Sequence, residues 1–343
     1  MERITIIDIA KMCGVGVTTV SRAINNHPDI NEETKTMIMK VIKDNHYIPN
    51  NSARNLKRAA SKTIAVLIKG ITNPFFNHMI KVFEEEIKRK KYSFFLQRVD
   101  ENQDEIDVAI ELEKEKRLKG IVFLGGYFSH SKEKLTQLTV PFVLSTIGMA
   151  ADVEPNEYSS VSVDDFKESY KLVDYLCNLG HTKIATITAN MEDVSIGKLR
   201  LEGYKKALED HGLDYNPNLV RYMKEEIESY TMENGYEVAK ELLESKEEFT
   251  VIYAISDSLA IGACKAILES GKRVPEDYSV AGFDGLDISF YYNPSITTMK
   301  QPVGEIAEET IKILFDLINK KITHAHKTFP AELIVRDSTR SLL

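Results

Sequence analysis

Four side chains near the start of the chain, Val17, Thr18, Ser21 and Arg22, share the outer face of a short amphipathic segment whose other face carries Val20, Ala23 and Ile24. Their surroundings point to a polyanion. Residues 1 to 62 hold ten Lys or Arg against six acids, whereas the other 281 residues hold 34 against 46. On a chain of net charge -8, that basic end is where DNA phosphates would sit, with the acidic remainder held off them. Elsewhere the chemistry is sparse. Asp257 and Asp284 can be imagined as the paired carboxylates of a hydrolase. There is, however, no Ser-His-Asp or Cys-His set, no P-loop, no GxGxxG after a strand and no metal-spaced His cluster, so no enzyme, cofactor or metal is expected. Cys13, Cys177 and Cys264 lie far apart without CxxC spacing, as reduced thiols do, and suit neither a disulfide framework nor a zinc site.

The elements that must position the first four residues can be read directly. Thr5 followed by Asp8 marks a helix start, and Ile6, Ile9, Ala10 and Cys13 recur at helical spacing. Gly14 ends that helix at a sharp turn. Thr18 and Thr19 open a second helix. Small Ala10 permits a close crossing, and Val20 fills the angle between the helices, which makes a helix-turn-helix. Asn31 then caps a third helix with Glu32 and Glu33 in its first turn and Met37, Ile38, Val41 and Ile42 facing a small core.

At 343 residues the chain suits two or three domains, with enough interior to need neither metal nor disulfide support. No apolar run approaches the ~18 residues of a membrane helix, and the opening MERITIIDIAK lacks the pattern of a secretory signal, so a cytoplasmic protein with no membrane partner is expected. From Lys62 onward, β-rich runs (TIAVLI, SFFLQ, GIVFL, PFVLS, then KIATIT, TVIYAI, SVAGF) alternate with helical stretches. That alternation predicts an α/β fold with two successive parallel sheets, hence two lobes. Ligands of such sheets bind outside the carboxyl ends of the strands.

TVSRAIN followed by YIPNNSARNL resembles the DNA-binding signature of the lac repressor family, and the resemblance extends along the whole chain. It implies a helix-turn-helix domain over 1–49, a hinge helix and linker over 50–62 and a periplasmic-binding-protein-like core over 63–343. Within that core, lobe one would take 63–163 and 294–323, and lobe two 164–293 and 324–343. Val17, Thr18 and Arg22 would reach base edges in the major groove. Ser21, Asn25, Asn50 and Arg54 would serve phosphate or hinge contacts, Thr5 and Ala53 would belong to the same DNA-binding set, and Leu56 would wedge into the minor groove. Gly16 departs from the family's usual Ser and removes a side-chain cap from the second helix.

The resemblance also implies an effector site of Phe75, Phe76, Asp164, Arg200, Tyr230, Ser256 and Asp284 in the cleft between lobes. A fork donor, carboxylates and aromatic faces together suit a sugar. Ser256 stands where the family usually has Asn. Plainer readings stand beside these: Asp257 as a helix cap, Arg200 paired with a neighbouring acid, one of Phe75 and Phe76 in the core, and His181 as a structural histidine. The implied function is a repressor that binds a near-palindromic operator in double-stranded DNA as a homodimer, with its affinity set by the small molecule. A sugar-delivering binding protein shares the core but has no use for residues 1–60.

Overall fold

The computed structural model describes residues 5–24, 27, 29–45, 62–100, 103–126, 130–147, 153–191 and 195–343. The chain divides into two compact units, 1–60 and 61–343.

In the first unit, α1 (Ile6–Cys13) opens on a reciprocal cap. The Thr5 hydroxyl accepts from the Asp8 amide, while the Asp8 carboxylate accepts from the Thr5 amide at 2.9 Å and its hydroxyl at 2.6 Å. Gly14 takes φ +64 and sends its amide back to the last turn. A side chain there would be strained by that backbone. The chain then enters α2 (Val17–Ile24), and Asn31 caps α3 (Glu32–Asp44) through bonds from the Glu33 and Thr34 amides. Ile9, Ala10, Val20, Ala23, Ile38 and Ile42 form the core where the three helices meet. Met37, expected to face inward, is 41% exposed.

The second unit contains two six-stranded sheets. The first uses β1 (Thr63–Ile68), β2 (Ser93–Arg98), β3 (Leu118–Leu124), β4 (Phe142–Ser145), β5 (Ser160–Val163) and β11 (His326–Phe329), in the order β11-β5-β4-β3-β1-β2 with every pairing parallel. Parallel strands covered on both faces must be apolar throughout, which is why TIAVLI and GIVFL contain no alternation. The helices on this sheet are α4 (Phe75–Arg89), α5 (Glu105–Lys116), the short α6 (Lys132–Leu135) and, from far along the chain, α12 (Val303–Ile318), which packs on α4.

The second sheet uses β6 (Ile184–Thr188), β7 (Val220–Tyr222), β8 (Val251–Ala254), β9 (Ser279–Asp284), β10 (Thr297–Lys300) and β12 (Glu332–Ile334), in the order β12-β10-β9-β8-β6-β7, with only β12 antiparallel. It is covered by α7 (Asp165–Asn178), α8 (Ile196–Asp210), α9 (Met232–Glu244) and α10 (Asp257–Glu269), with α11 (Asp287–Tyr291) leading into β10. One continuous core runs through it.

These pairings correct the expected lobe boundaries. The crossing placed at 294 falls after Lys300, because Thr297–Lys300 pairs with β9 of the second sheet. The segment His326–Phe329, assigned to lobe two, pairs with β5 of the first, so the last crossing lies between Phe329 and Glu332. Three connections therefore join the lobes.

Candidate functional site

Between the two sheets lies a cavity of about 390 Å³, and its lining residues follow the carboxyl ends of the strands. Lys69 comes after β1, Gly125 and Gly126 after β3, Thr146 after β4, Ala189 and Asn190 after β6, Met223 and Lys224 after β7, and Gln301 after β10, while Asp284 ends β9. The loop before α4 adds Asn73, whose Oδ1 accepts from the Phe75 amide at 3.1 Å and starts the helix that carries the aromatic wall. Phe75 and Phe76 both line the cavity and both belong to the lobe-one core, edge to face with centroids 5.4 Å apart. A Cβ on Gly125 would come within 2.6 Å of the Phe76 ring, so this close approach needs glycine. Tyr230 lines the opposite side, at φ +58.

The floor is charged and buried. Arg200, reaching in from α8, is 2% exposed. Its Nε and Nη2 donate to Asp165 Oδ1 at 2.9 and 2.8 Å, its Nη1 donates to the Ile255 carbonyl at 2.5 Å, and its guanidinium lies 3.7 Å from the Phe283 ring centroid. Asp284 Oδ1 receives the Gln301 amide at 2.9 Å and stands 3.6 Å from Arg200 Nη1. Asp284 Oδ2 is buried without a hydrogen-bond partner. A buried carboxylate oxygen left open is costly, and a ligand hydroxyl or amine would satisfy it.

Burial pushes Asp284 up to about 7, with Arg200 and Gln301 opposing and Asp257 and Asp165 adding to the rise. Burial likewise raises Asp165, even with Arg200 on it. In Arg200 burial alone would lower the pKa, but the neighbouring carboxylates outweigh it and hold the guanidinium charged. Because the Asp284 carboxyl keeps a proton that the unfolded chain, with a value near 3.8, releases, its contribution to stability is full below about pH 4 and lost as pH rises through about 7. The stability of wild type relative to Asp284→Asn is therefore expected to fall across that window and level off above it. Urea unfolding over a pH series measures this, and a difference independent of pH would mean that Asp284 ionises like a solvated acid.

Two expected cleft residues lie elsewhere. Ser256 is fully buried as the cap of α10, its Oγ accepting from the Leu259 amide at 3.3 Å, and it does not line the cavity. Asp164 is exposed and caps α7 by accepting from the Lys167 amide at 3.0 Å; its neighbour Asp165 is the one that turns inward. Ser256, and not Asp257, is thus the helix cap. His181 is structural, bonding Thr250 Oγ1 at 2.7 Å and the Arg340 carbonyl at 3.1 Å. Asn73, Thr146, Asn190, Lys224 and Gln301 were not anticipated as lining residues, although each follows a strand end.

Asp104, Glu105 and His130 bring ligand atoms within 4.8 Å of one another. Their carboxylates are already matched, Glu105 by Lys69 at 2.6 Å and Asp104 by Lys134, so the cluster holds ammonium groups where a metal would sit.

On the first unit, Val17, Thr18 and Arg22 are exposed along α2 and Ser21 is half-buried, while the Thr5 hydroxyl is engaged in the α1 cap. Asn25, Asn50, Ala53, Arg54 and Leu56 lie outside the described residues.

A helix-turn-helix unit followed by a two-lobed α/β core with a polar interlobe cleft defines a class of bacterial DNA-binding regulators. Residues 5–50 match the bacterial regulatory proteins of the lacI family, and residues 173–339 match the periplasmic binding protein-like domain. The chain is 41% identical over 333 residues to the HTH-type transcriptional regulator MalR of Clostridium butyricum, covering 96% of this chain and 98% of that one. It is 33% identical over 344 residues to the HTH-type transcriptional repressor PurR of Pasteurella multocida, covering 99% of each. Among solved structures, the transcriptional regulator CelR in complex with cellobiose superposes with a TM-score of 0.71 at 26% identity, covering 98% of this chain and 100% of that one. The chain belongs to the lacI family of bacterial transcription regulators. These relatives are regulators and not enzymes. Among the described residues no helix is long and apolar enough to cross a membrane.

Proposed function

We propose that this protein is a cytoplasmic, sequence-specific repressor that binds a near-palindromic operator as a homodimer and whose operator affinity is set by a sugar in the interlobe cleft. The observation that carries the ligand half is Asp284, which lines the cavity with Oδ2 buried and unpartnered, beside aromatic walls and several polar side chains. Hydroxyl donors satisfy the carboxylate, and C–H faces of a sugar ring rest on Phe75, Phe76 and Tyr230. CelR, whose solved complex holds cellobiose, supports the same class of ligand.

The DNA half rests on α2. Val17 and Thr18 offer methyl groups to thymine and Arg22 a fork to guanine, while Ser21 serves the phosphates and Thr5 contributes through the α1 cap that it makes with Asp8. Asn25, Asn50, Ala53 and Arg54 complete the backbone and hinge contacts, and Leu56 is the minor-groove wedge. An exposed apolar cluster on α11, with Ile288 45%, Phe290 58% and Tyr291 81% exposed, supports pairing with a second copy. Lobe closure on the sugar shifts the first lobes of the dimer and so the spacing of the two hinges, which is how one site reads the other.

Arg22→Ala tests the DNA assignment. Because Arg22 is exposed, the fold should survive, and loss of a base contact worth about 1–3 kcal/mol weakens operator binding roughly 5- to 150-fold with little change on unrelated DNA. Fluorescence anisotropy on both DNAs measures it; equal losses on the two would place Arg22 on the backbone instead.

A further inference from the structure

Asp257 is fully buried at the start of α10, yet it neither caps that helix nor lines the cleft. Its Oδ1 accepts the Thr298 hydroxyl at 2.6 Å and its Oδ2 accepts the Leu286 amide at 2.6 Å. Thr298 Oγ1 in turn accepts the Gly285 amide at 3.2 Å. Two successive amides, those immediately after Asp284, are thus held by one pair of side chains. The backbone they hold is strained. Asp284 sits at φ +116 and Gly285 at φ +74, and a non-glycine residue keeps positive φ only where its surroundings over-determine it.

Glycine on either side allows the approach. A Cβ at position 282 would lie 2.4 Å from Asp257 Oδ1, and one at 285 would lie 2.4 Å from the Lys300 side chain. The outcome is a carboxylate whose Oδ1 is pinned by Gln301 and whose Oδ2 is left open.

We propose that Asp257 and Thr298 are the positioning residues of the cleft carboxylate: by holding the Gly285 and Leu286 amides they keep Asp284 in its left-handed backbone and present Oδ2 to the ligand. The inference rests on the reading of the cleft as the effector site, but its test needs no effector. The groups that face Asp257 are Thr298 of β10, Leu286 and Ser289 of the α11 region, Arg336 beyond β12 and Asp284 itself. Those that face Asp284 are Arg200 of α8, Asp165 of α7, Gln301 after β10 and Asp257.

The experiment compares Thr298→Val and Thr298→Ser in the full-length protein. Valine keeps the shape and removes the hydroxyl, so the Gly285 amide and Asp257 Oδ1 each lose a partner; serine keeps both bonds. Crystal structures report φ at residue 284, and carboxyl-labelled aspartate, assigned with Asp284→Asn, reports the titration midpoint of Asp284 by carbon NMR. In the valine variant Asp284 is expected to leave positive φ and its midpoint to fall by about one unit as the carboxylate turns toward water. The serine variant is expected to match wild type on both. A valine variant that melts at lower temperature but keeps backbone and midpoint would reduce Asp257 and Thr298 to packing and overturn the proposal, as would a serine variant that behaves like valine. Should the valine protein not fold, Thr298→Ala is held to the same two outcomes. A cleft that binds no sugar would sink the functional reading and leave these readouts as they are.

Discussion

Arg200→Ala is expected to destabilise the two-lobed core by about 3–5 kcal/mol, the usual consequence of removing one member of a buried ion pair. The reason is what stays behind. Arg200 is bonded twice to Asp165 and once to the Ile255 carbonyl, beside Asp284 and against the Phe283 ring, and is almost wholly buried. Alanine leaves two buried carboxylates facing an empty space, and burial already raises both. Loss of the guanidinium pushes both further toward the protonated form and leaves their remaining lone pairs without donors. The double change Arg200→Met with Asp165→Leu, which removes the charge from both ends, is expected to recover much of the loss, because well-packed apolar groups replace a buried pair nearly neutrally. Urea unfolding of the three proteins measures this. A loss below about 1 kcal/mol for Arg200→Ala would mean that the pair is solvated and worth no more than a surface bridge.

Ile38→Ala is the second large effect, and it falls on the other unit. Ile38 is fully buried among Ile9, Ala10, Val20, Ala23 and Ile42, a core of six buried side chains for three helices. Truncation of a buried isoleucine costs about 2–5 kcal/mol, and a unit of this size has little more than that in reserve. Operator binding is therefore expected to vanish while the core of residues 61–343, a separate compact unit, melts where wild type does. Calorimetry together with DNA titration reads both. Wild-type DNA affinity in this variant would show that the three-helix unit draws its stability from elsewhere. Arg22→Ala, by contrast, weakens binding without unfolding anything, so the two variants separate loss of a contact from loss of its scaffold.

Much of this was legible in the chain because burial writes itself into residue type. TIAVLI, GIVFL and TVIYAI are almost wholly apolar because both faces of a parallel sheet are covered, and helices such as α4 and α12 carry an apolar stripe toward it. The capping box of Thr5 and Asp8, the Gly14 turn and the Asn31 cap each need particular residue types, and all three appear in place. The short strands were harder to see. TTMK and HKTF are polar, only four residues long and carry neither period, since the first is closed over by a carboxyl-terminal strand and the second lies at a sheet edge. That failure moved the lobe boundary and concealed Gln301, which is a cleft residue only because β10 ends just before it.

Adjacent polar residues set the other limit. Asp164-Asp165 and Ser256-Asp257 each offer two groups able to cap a helix, and one takes the cap while the other turns inward. Which does which depends on the neighbour across the fold, Arg200 in one case and the turn at Gly285 and Leu286 in the other, and no local pattern carries that information. The same holds for Arg200 itself. Pairing with an acid and placement at the cleft turned out to be one arrangement, not alternatives.

If occupancy of the cleft sets DNA affinity, a single titration shows it. DNA selected by the full-length protein from a random pool is titrated by anisotropy at fixed salt, alone and with each of a panel of mono- and disaccharides whose binding has been detected by thermal unfolding. The selected sites are expected to be near-palindromic, and at least one sugar to shift their affinity by about tenfold or more, a coupling of about 1.4 kcal/mol, with no effect in Asp284→Asn. Sugars that bind and stabilise the core while leaving operator affinity unchanged would contradict it.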